Sequence, residues 1–279
     1  MNLQTFHHLS QHCSKLTTQK YSTSFASAIR LLHPDLREPV YNIYGFVRFV
    51  DEIVDSFHDF DKKQMLDEFK SETLKSINRG ISLNPILNSF QLTVNQYQIS
   101  KDLILSFFKS MEMDLHNRTY DEQGYNEYIY GSAEVVGLMC LHVFCDGNSE
   151  QFVKLQSPAR ALGAAFQKVN FLRDINADFH GLSRTYFPGV DFRNFDPQMK
   201  LRIEEDIEKD FDQAFEGLMS LPWKARFGVY VAYKYYWCLF TRIQQVQASR
   251  ILKQRIRIPD YVKAMIVVRA KLKNQLNLI

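Results

Sequence analysis

The chain has 279 residues, of which 46% are hydrophobic, so it can bury a sizeable core within one helical domain. Phe (22) and Tyr (14) are abundant whereas Gly (11) and Pro (8) are scarce, which disfavours a β-sandwich with many turns and suits long helices. The net charge of +3 is too small to indicate a nucleic-acid-binding protein. We therefore expect a single domain over residues 1–279 with no nucleic-acid partner.

The elements predicted in the N-terminal half are all helices. One of residues 22–24 is expected to cap a helix that runs to Leu32, and Pro34 ends it because a residue that precedes proline avoids the α region. The pair Glu38-Pro39 is expected to begin a long helix. Further helices are predicted over residues 62–77, from 85 onwards and over 99–115.

The C-terminal half is predicted to be helical as well. Residues 125–144 form an apolar segment whose small residues, such as Gly131 and Gly137, favour close helix packing over a ligand wall. An irregular segment over residues 181–197 is long enough to indicate a functional loop. Helices are predicted over residues 161–179, 199–219 and 224–252 and after Pro259. Without any convincing alternation typical of strands, the predicted fold class is all-α.

The cysteines and the apolar segments bear on location. Cys13, Cys140, Cys145 and Cys238 show no CxxC spacing, and no signal peptide is recognised, so we expect reduced thiols in a cytoplasmic protein. No window reaches about 18 uninterrupted apolar residues, so no transmembrane helix is expected.

The stretch from Arg48 to Asp55 is the first candidate for chemistry. Asp51 and Asp55 are four residues apart, so in a helix they lie on one face, one turn above the other. Such like charges repel by roughly a few tenths of a kcal/mol, yet apolar neighbours such as Phe46 and Phe49 indicate a packed helix. This combination favours a cation, most simply a divalent metal ion, between the carboxylates.

A second polar stripe lies near the end of the helix predicted over residues 161–179. Asn170, Asp174 and Asp178 recur every four residues, and Arg173 stands beside them as an arginine stands beside the first pair. One such pair is usually a solvated helix face, but two in apolar helices, each next to an arginine, are much less expected by chance. Carboxylates suit Mg²⁺ and arginines suit phosphate oxygens, so the two stripes predict a magnesium–diphosphate site.

Such a site would support ionisation of an allylic diphosphate. Mg²⁺ neutralises the charge that develops on a departing diphosphate, and the carbocation left behind needs a dry, apolar wall. Aromatic faces can stabilise the cation by about 1–2 kcal/mol each, and this chain is rich in them. No HxxxH motif or Cys/His cluster indicates zinc.

Several segments are similar, in order, to motifs of one family. The YSTSF segment at residues 21–25 and the YGFVRFVDEIVD segment at 44–55 come first, followed by residues 113–115 with 128–137. The segments at residues 167–178, 184–188 and 255–259, with Lys263, complete the set. Over nearly its whole length the chain thus resembles the squalene/phytoene synthase family of head-to-head prenyl transferases. The resemblance implies an isoprenoid-synthase-type helical bundle around a central cavity.

The resemblance also assigns roles to residues. It implies a catalytic set of Tyr44, Arg48, Asp51, Asp55, Asp174 and Asp178, and Mg²⁺ ligands (Mn²⁺ can substitute for the metal) that are Asp51, Asp55, Asn170, Asp174 and Asp178. Among the substrate-binding residues, Arg173 and Arg255 would join Arg48 in contacting diphosphate. The substrate-binding set is Ser22, Ser24, Phe25, Tyr128, Ala133, Gly137, Gln167, Asn170, Arg173, Tyr186, Tyr236 and Arg255.

The chain departs from the family pattern at four positions. Glu52 replaces an aspartate that is common in the first motif, and Ala177 stands where the second motif often has an acid. In the central motif, Ser132 and Glu134 replace Val and Gly. The carboxylate of Glu134 is expected either to line the cavity or to point away from it.

The resemblance leaves three functional hypotheses. The leading one is a phytoene synthase that joins two geranylgeranyl diphosphates through a cyclopropylcarbinyl diphosphate, with no NADPH, because no glycine-rich dinucleotide motif is found. The alternative is a C30 synthase that makes squalene, dehydrosqualene or hydroxysqualene from farnesyl diphosphate. A non-catalytic family member is the least favoured hypothesis, because the four key aspartates and their arginines are present.

The positive charge is concentrated near the C-terminus. Residues 250–273 contain eight basic side chains and one acid, Asp260. This segment is either a solvated helix face or a rim that attracts phosphate or anionic lipid headgroups. Because the implied substrate is a long lipid, we expect peripheral contact with the inner membrane surface, and enzymes that consume the carotenoid product are expected partners.

Overall fold

The computed structural model describes residues 2–116, 119–177, 185–190, 195–252 and 255–276. Over this part of the chain, the one β-type pairing is a single parallel bridge between Thr119 and Thr185, so the all-α prediction is confirmed. The helices are α1 (Leu3–Tyr21), α2 (Thr23–Ile29), α3 (Pro34–Ser56), α4 (Lys62–Arg79), α5 (Pro85–Tyr97), α6 (Lys101–His116), α7 (Glu122–Ile129), α8 (Val135–Cys145), α9 (Ser149–Ala177), α10 (Pro197–Leu218), α11 (Trp223–Gln244), α12 (Ala248–Ile251) and α13 (Asp260–Gln275).

Side-chain caps fix where several helices begin. The Ser22 hydroxyl accepts a hydrogen bond from the Phe25 amide at the start of α2, which confirms the predicted cap. Asn84 caps α5 in the same way, as its position before Pro85 predicts. Gly80 ends α4 in the left-handed conformation (φ 76°), where a residue without Cβ is unstrained.

Three predicted boundaries were wrong. The long helix α3 begins at Pro34, and Pro39 lies buried inside it, because the packed residues around it outweigh one missing hydrogen bond. Helix α9 begins twelve residues before the predicted start at residue 161. The helix predicted over residues 224–252 ends at Gln244, whose carbonyl accepts a hydrogen bond from Lys200 Nζ at 3.0 Å, and α12 follows as a separate turn.

Helix α1 had no counterpart among the predicted elements. Its buried residues are Ser10, Ser14 and Thr18, which give no apolar periodicity. They allow close packing against α3 and α5, where the Ser14 and Ser89 hydroxyls are 2.6 Å apart. A Cβ on Gly45 of α3 would lie 2.7 Å from the Ser14 hydroxyl oxygen, so the two helices approach closely at this glycine.

The apolar segment predicted over residues 125–144 is a continuous helical run with one irregularity. Between α7 and α8, residues Tyr130–Glu134 form a π-helical turn, a feature frequent at functional sites. By length and composition Glu122–Cys145 could cross a membrane, but 61% of its apolar window is buried against neighbouring helices. The absence of a spanning helix therefore stays a prediction.

Helices α3 and α9 are central to the arrangement. Helix α3 packs against α1, α5 and α8, and α9 packs against α8, α10 and α11. Buried apolar side chains from α2 to α13 form one cluster across the described residues. Asp51 and Asp55 of the first predicted stripe lie on α3, and Asn170 and Asp174 of the second lie on α9.

Candidate active site

A cavity of about 460 Å³ lies between α2, α3, α8, α9, α10 and α11. Along α3 its lining changes from apolar at Val40 to polar at Asp55, over 15 residues or about 22 Å. Along α9 the lining changes in the same sense from Leu155 to Asp174, over about 28 Å. The cavity therefore has a polar end, which the C-terminal halves of α3 and α9 both line, and an apolar end.

The α3 stripe places an arginine among three acids. The Arg48 guanidinium forms an ion pair with Glu52 one turn away, lies 3.8 Å from the Asp51 carboxylate and stacks over the Tyr21 ring at 4.4 Å. Its Nε atom is buried and has no hydrogen-bond partner among the described residues. The guanidinium thus keeps a buried donor for a ligand at the polar end.

The stacked acids are electrostatically unfavourable. Burial raises the pKa of Asp51 to about 7, and the neighbouring Asp55 adds to the increase, which Arg48 only partly opposes. Asp114, which enters the same cavity from α6, also raises the pKa. Without a bound cation, Asp51 therefore binds a proton at a higher pH than an ordinary aspartate does.

The α9 stripe is held by arginines from two elements. Arg173 donates to the Asp174 carboxylate at 2.5 Å and 3.0 Å, and Arg255, which lies just before α13, donates to it at 2.8 Å. One turn earlier, the Asn170 carbonyl oxygen accepts a hydrogen bond from the Tyr236 hydroxyl at 3.2 Å. The stripe is thereby connected to α11 and to the C-terminal segment.

Aromatic side chains line the cavity beside the polar end. Phe25 contacts the rings of Tyr44, Phe166 and Tyr236 at centroid distances of 5.6, 6.1 and 5.7 Å. Phe166 and Tyr236 are stacked at 3.9 Å. Burial raises the pKa of Tyr44 to about 12, so its hydroxyl stays neutral. These residues present neutral π faces to the cavity.

A second group of aromatic side chains lies beside the acids Asp51, Asp55 and Asp114 at the polar end of the cavity. Tyr186 stacks on Phe171 at 3.9 Å and lies 5.2 Å from the ring of Tyr128. The Thr119–Thr185 bridge brings Tyr120 and Tyr186 together, with stacked rings 5.8 Å apart. The Tyr128 hydroxyl donates to the buried Asp114 carboxylate at 2.7 Å, which links this group to the acids.

The small residues of the segment over residues 125–144 both pack helices closely and form part of the cavity wall. Ala133 and Gly137 line the cavity, and a Cβ on Gly137 would lie 2.7 Å from the Ala159 carbonyl oxygen, so close packing requires glycine there. Glu134 points away from the cavity and forms an ion pair with Arg160 of α9.

Residues 18–261 match the sequence model of the family described as squalene/phytoene synthase. The chain belongs to the squalene/phytoene synthase family. The recognised family is thus confirmed, and its members are prenyl transferases.

The relatives of this chain are named for different products. The chain is 24% identical to the 4,4'-diapophytoene synthase of Staphylococcus haemolyticus over 72% of this chain and 68% of the relative. It is 27% identical to the phytoene synthase of Arthrospira platensis over 94% of this chain and 92% of the relative. A dehydrosqualene synthase crystal structure superposes with a TM-score of 0.81 at 19% identity, covering 96% and 98% of the two chains, which confirms the isoprenoid-synthase fold.

The structure of this squalene/phytoene synthase family member brings together most of the predicted site. The predicted site residues that line the cavity are Ser22, Phe25, Tyr44, Arg48, Asp51, Asp55, Tyr128, Ala133, Gly137, Gln167, Asn170, Asp174, Tyr186 and Tyr236. Arg173 and Arg255 do not line it but hold Asp174 at its edge. Ser24 is not part of the lining, because Phe25, Ala28 and Ile29 form the face of α2 that is turned to the cavity. Asp178 lies outside the described residues.

Sequence reasoning did not assign several lining residues to the site. Asp114 is 8% exposed and is connected to Tyr128, yet only its position in a matching segment signalled it. A carboxylate buried in an apolar helix is itself a signal, because such groups are rarely buried without a partner. Tyr21, Phe166 and Phe171 also line the cavity. Spacing alone cannot distinguish such aromatic residues from ordinary core.

The donor atoms at the polar end fit a divalent cation in chemistry. Asp51, Asp55 and Asp114 supply hard oxygen atoms, and a cation bound there would offset both the burial and the neighbouring Asp55 charge that raise the pKa of Asp51. Within the described ranges, however, no three acidic, His or Cys side chains converge closely enough to form a metal site by themselves. Water and diphosphate oxygens would therefore have to complete the coordination, as is usual for Mg²⁺.

Proposed function

We propose that this protein condenses two molecules of geranylgeranyl diphosphate to phytoene. The observation that carries this proposal is the convergence of two acid–arginine stripes on one end of a long apolar cavity. The arginines suit diphosphates and the acids suit the cation that accompanies them. The apolar end suits the prenyl chains.

The polar end would bind the diphosphates. Asp51 and Asp55 on α3, and Asn170, Asp174 and Asp178 on the second stripe, would hold Mg²⁺, or Mn²⁺ in its place. When bound, the metal ion supplies charge neutralisation at the departing diphosphate. Arg48 would donate its buried Nε–H to a diphosphate oxygen, and Arg173 and Arg255 would turn from Asp174 towards the ligand.

The first half-reaction joins the two substrates. The carbon–oxygen bond of one diphosphate breaks, and the allylic cation attacks the double bond of the second substrate. Loss of one proton gives a cyclopropylcarbinyl diphosphate and free diphosphate. The ring faces of Phe25, Tyr44, Phe166 and Tyr236 would stabilise positive charge at this point, by about 1–2 kcal/mol each, and exclude water.

The second half-reaction ends in the hydrocarbon. The cyclopropylcarbinyl diphosphate ionises, its cation rearranges, and loss of a second proton gives phytoene. The total is two diphosphates and two protons released, so no reductant such as NADPH is needed. The Tyr44 hydroxyl stays neutral and is therefore a poor nucleophile and a weak base, so the departing diphosphate would accept the proton.

Two observations support the C20 substrate. The apolar lining of α9 from Leu155 to Phe166 extends over about 16 Å before the polar stripe begins, which leaves a deep space for chains. The phytoene synthase relative also aligns over 94% of this chain. The alternative is a C30 synthase that uses farnesyl diphosphate, and the names of the S. haemolyticus relative and of the dehydrosqualene synthase favour it.

Product analysis tests the choice between these two activities. The purified protein is incubated with Mg²⁺ and either geranylgeranyl or farnesyl diphosphate, and the extracted hydrocarbons are separated by mass. We expect a C40 hydrocarbon from the first substrate without NADPH. Turnover of farnesyl diphosphate alone, or a strict need for NADPH, would refute the phytoene proposal and leave the C30 activity.

Substitution tests whether the acids carry the activity. Asp51→Ala and Asp174→Ala should each lower turnover at least a hundredfold while the helical circular dichroism is retained. Asp67→Ala, on the exposed face of α4 where the acid pairs with Lys63, is the matched control and should keep full activity. Full activity in both cavity variants would show that the stripes do not bind the metal.

A further inference from the structure

Helix α13 carries an apolar surface that nothing in the described fold covers. Five side chains, four on the helix and one at the C-cap position that follows it, are between 43% and 70% exposed and are here called the α13 stripe. They are Tyr261, Met265, Val268, Leu272 and Leu276. Isolated exposed apolar residues are ordinary, but five in one row form a contiguous patch, which marks an interaction site.

The stripe lies on the side of α13 that faces away from the core. Its members are spaced by four, three, four and four residues, which places them on one face of a helix. Ala270, the buried residue of α13, lies on the opposite face, and Ile266 and Val267 pack beside it. The helix is therefore anchored to the fold through one apolar face and presents a second one outward.

Cations flank the stripe on both sides. At 100° per residue, Arg269 and Lys273 fall on one side of it and Lys271 on the other, and all three are exposed. The single acid between residues 255 and 276 is Asp260, which is bonded to Lys263. An apolar row between two cationic borders is typical of a helix that lies in the surface of an anionic bilayer.

Helix α13 lies close to the polar end of the cavity. The Lys263 ammonium donates to the Thr23 hydroxyl at 3.0 Å, next to Ser22 of the cavity lining. Arg255, five residues before α13, contacts Asp174 at the polar end. A membrane bound by α13 would therefore lie close to the polar end of the cavity, near Ser22 and Asp174.

We propose that the α13 stripe is a docking surface for an anionic lipid bilayer. The helix lies in the plane of the headgroups, with the stripe in the acyl boundary and the cations on lipid phosphates. Pairing with a second copy of this chain is disfavoured, because two facing stripes would bring their cationic borders together. The reason for a membrane contact, delivery of a lipid substrate, rests on the proposed function, but the docking surface is separate from the active site.

Vesicle binding tests the docking surface with the full chain. Sedimentation is measured with vesicles of phosphatidylcholine alone and with added phosphatidylglycerol. The wild type should bind the anionic vesicles, and Val268→Asn with Leu272→Asn should weaken that binding about tenfold or more. Val153→Asn with Leu83→Asn, which changes the same residue types at exposed positions elsewhere, is the matched control and should bind like the wild type.

A charge reversal tests the lipid headgroup. Lys271→Glu with Lys273→Glu should weaken binding to anionic vesicles about tenfold or more, and higher salt should weaken wild-type binding. Lys75→Glu with Lys154→Glu makes the same change in net charge on exposed lysines of α4 and α9 and should have a smaller effect. Equal binding to neutral and anionic vesicles would overturn the proposal.

Two further results would also overturn it. One is equal vesicle binding by the stripe variant and its control. The other is a wild-type dimer in light scattering that the stripe variant loses, which would assign the stripe to a second copy. Turnover in detergent micelles is measured on the same variants and should be unchanged, since α13 stripe residues lie outside the cavity lining. A wild type that binds vesicles but shows no turnover would contradict the proposed function and not the docking surface.

Discussion

Asp51→Asn should make the metal-free protein more stable while it abolishes turnover. Asn has the shape of Asp but no charge, so the substitution removes the cost of burying a charged carboxylate and the repulsion from the neighbouring Asp55. A pKa raised from 3.8 to about 7 corresponds to about 4 kcal/mol at 1.4 kcal/mol per unit. Because the Asp51 side chain is 30% exposed, solvent screening reduces this figure, and we expect about 1–2 kcal/mol.

The sign of the pH dependence follows from the direction of the shift. The pKa of Asp51 is higher in the folded state than in the unfolded state, so its ionisation opposes folding. The gain from Asn should be largest above pH 7, where the carboxylate is charged in both states. It should shrink as the pH falls from 7 towards 4, because Asp51 is then protonated in the fold.

Thermal unfolding in the presence of a chelator measures this effect. A gain of about 1–2 kcal/mol should raise the midpoint by roughly 2–8 °C at pH 8. Asp67→Asn is the control, since that acid is half exposed beside Lys63, and should change stability by less than about 1 kcal/mol. Mg²⁺ with inorganic diphosphate should stabilise the wild type and not the variant. A metal-free Asp51→Asn protein that is less stable than wild type at pH 8 would refute the reasoning.

Three other sites give shorter tests. Arg255→Ala should raise KM about tenfold or more in steady-state assays, because it removes a donor for diphosphate, and an unchanged KM would contradict that role. Gly217→Ala should lower the free energy of unfolding in urea by about 1–3 kcal/mol, since its Cβ would lie 2.2 Å from the Pro158 Cβ; no loss would show that the helices can shift apart. Burial raises the pKa of the Cys140 thiol to about 12 and that of Cys145 to about 11, so iodoacetamide at pH 8 should label both more slowly than the other two cysteines, as mass spectrometry can measure.

The sequence was most informative where apolar periodicity coincides with burial. In α3, Phe46 and Val50 are fully buried as predicted, although Phe49 on the same helix is exposed. It was least informative for α1, whose buried face consists of serine and threonine. Small polar residues pack helices closely through hydroxyl hydrogen bonds such as Ser14–Ser89, and no hydrophobic pattern records that contact.

The polar end of the site was predictable for a different reason. Its chemistry requires carboxylates and guanidinium groups at fixed helical spacings, and few other residue types can replace them. Arg255 could be recognised only by resemblance, because 81 residues separate it from Asp174 and no periodicity connects them. Asp114 approaches the same end from α6, and its role depends on tertiary contacts with Tyr128.

The apolar end of the cavity does not require particular residue types, which explains why family membership does not determine the product. A prenyl chain needs only volume, which many combinations of apolar side chains supply equally well. At that end, backbone approaches also shape the wall, since a Cβ on Gly228 would lie 2.5 Å from Leu32 and one on Gly217 would meet Pro158. The length of prenyl chain that fits therefore depends on the combined volume of many side chains, whereas diphosphate binding depends on a few specific groups. It follows that the product assay examines the apolar end and Asp51→Asn examines the polar end, and either hypothesis can fail while the other holds.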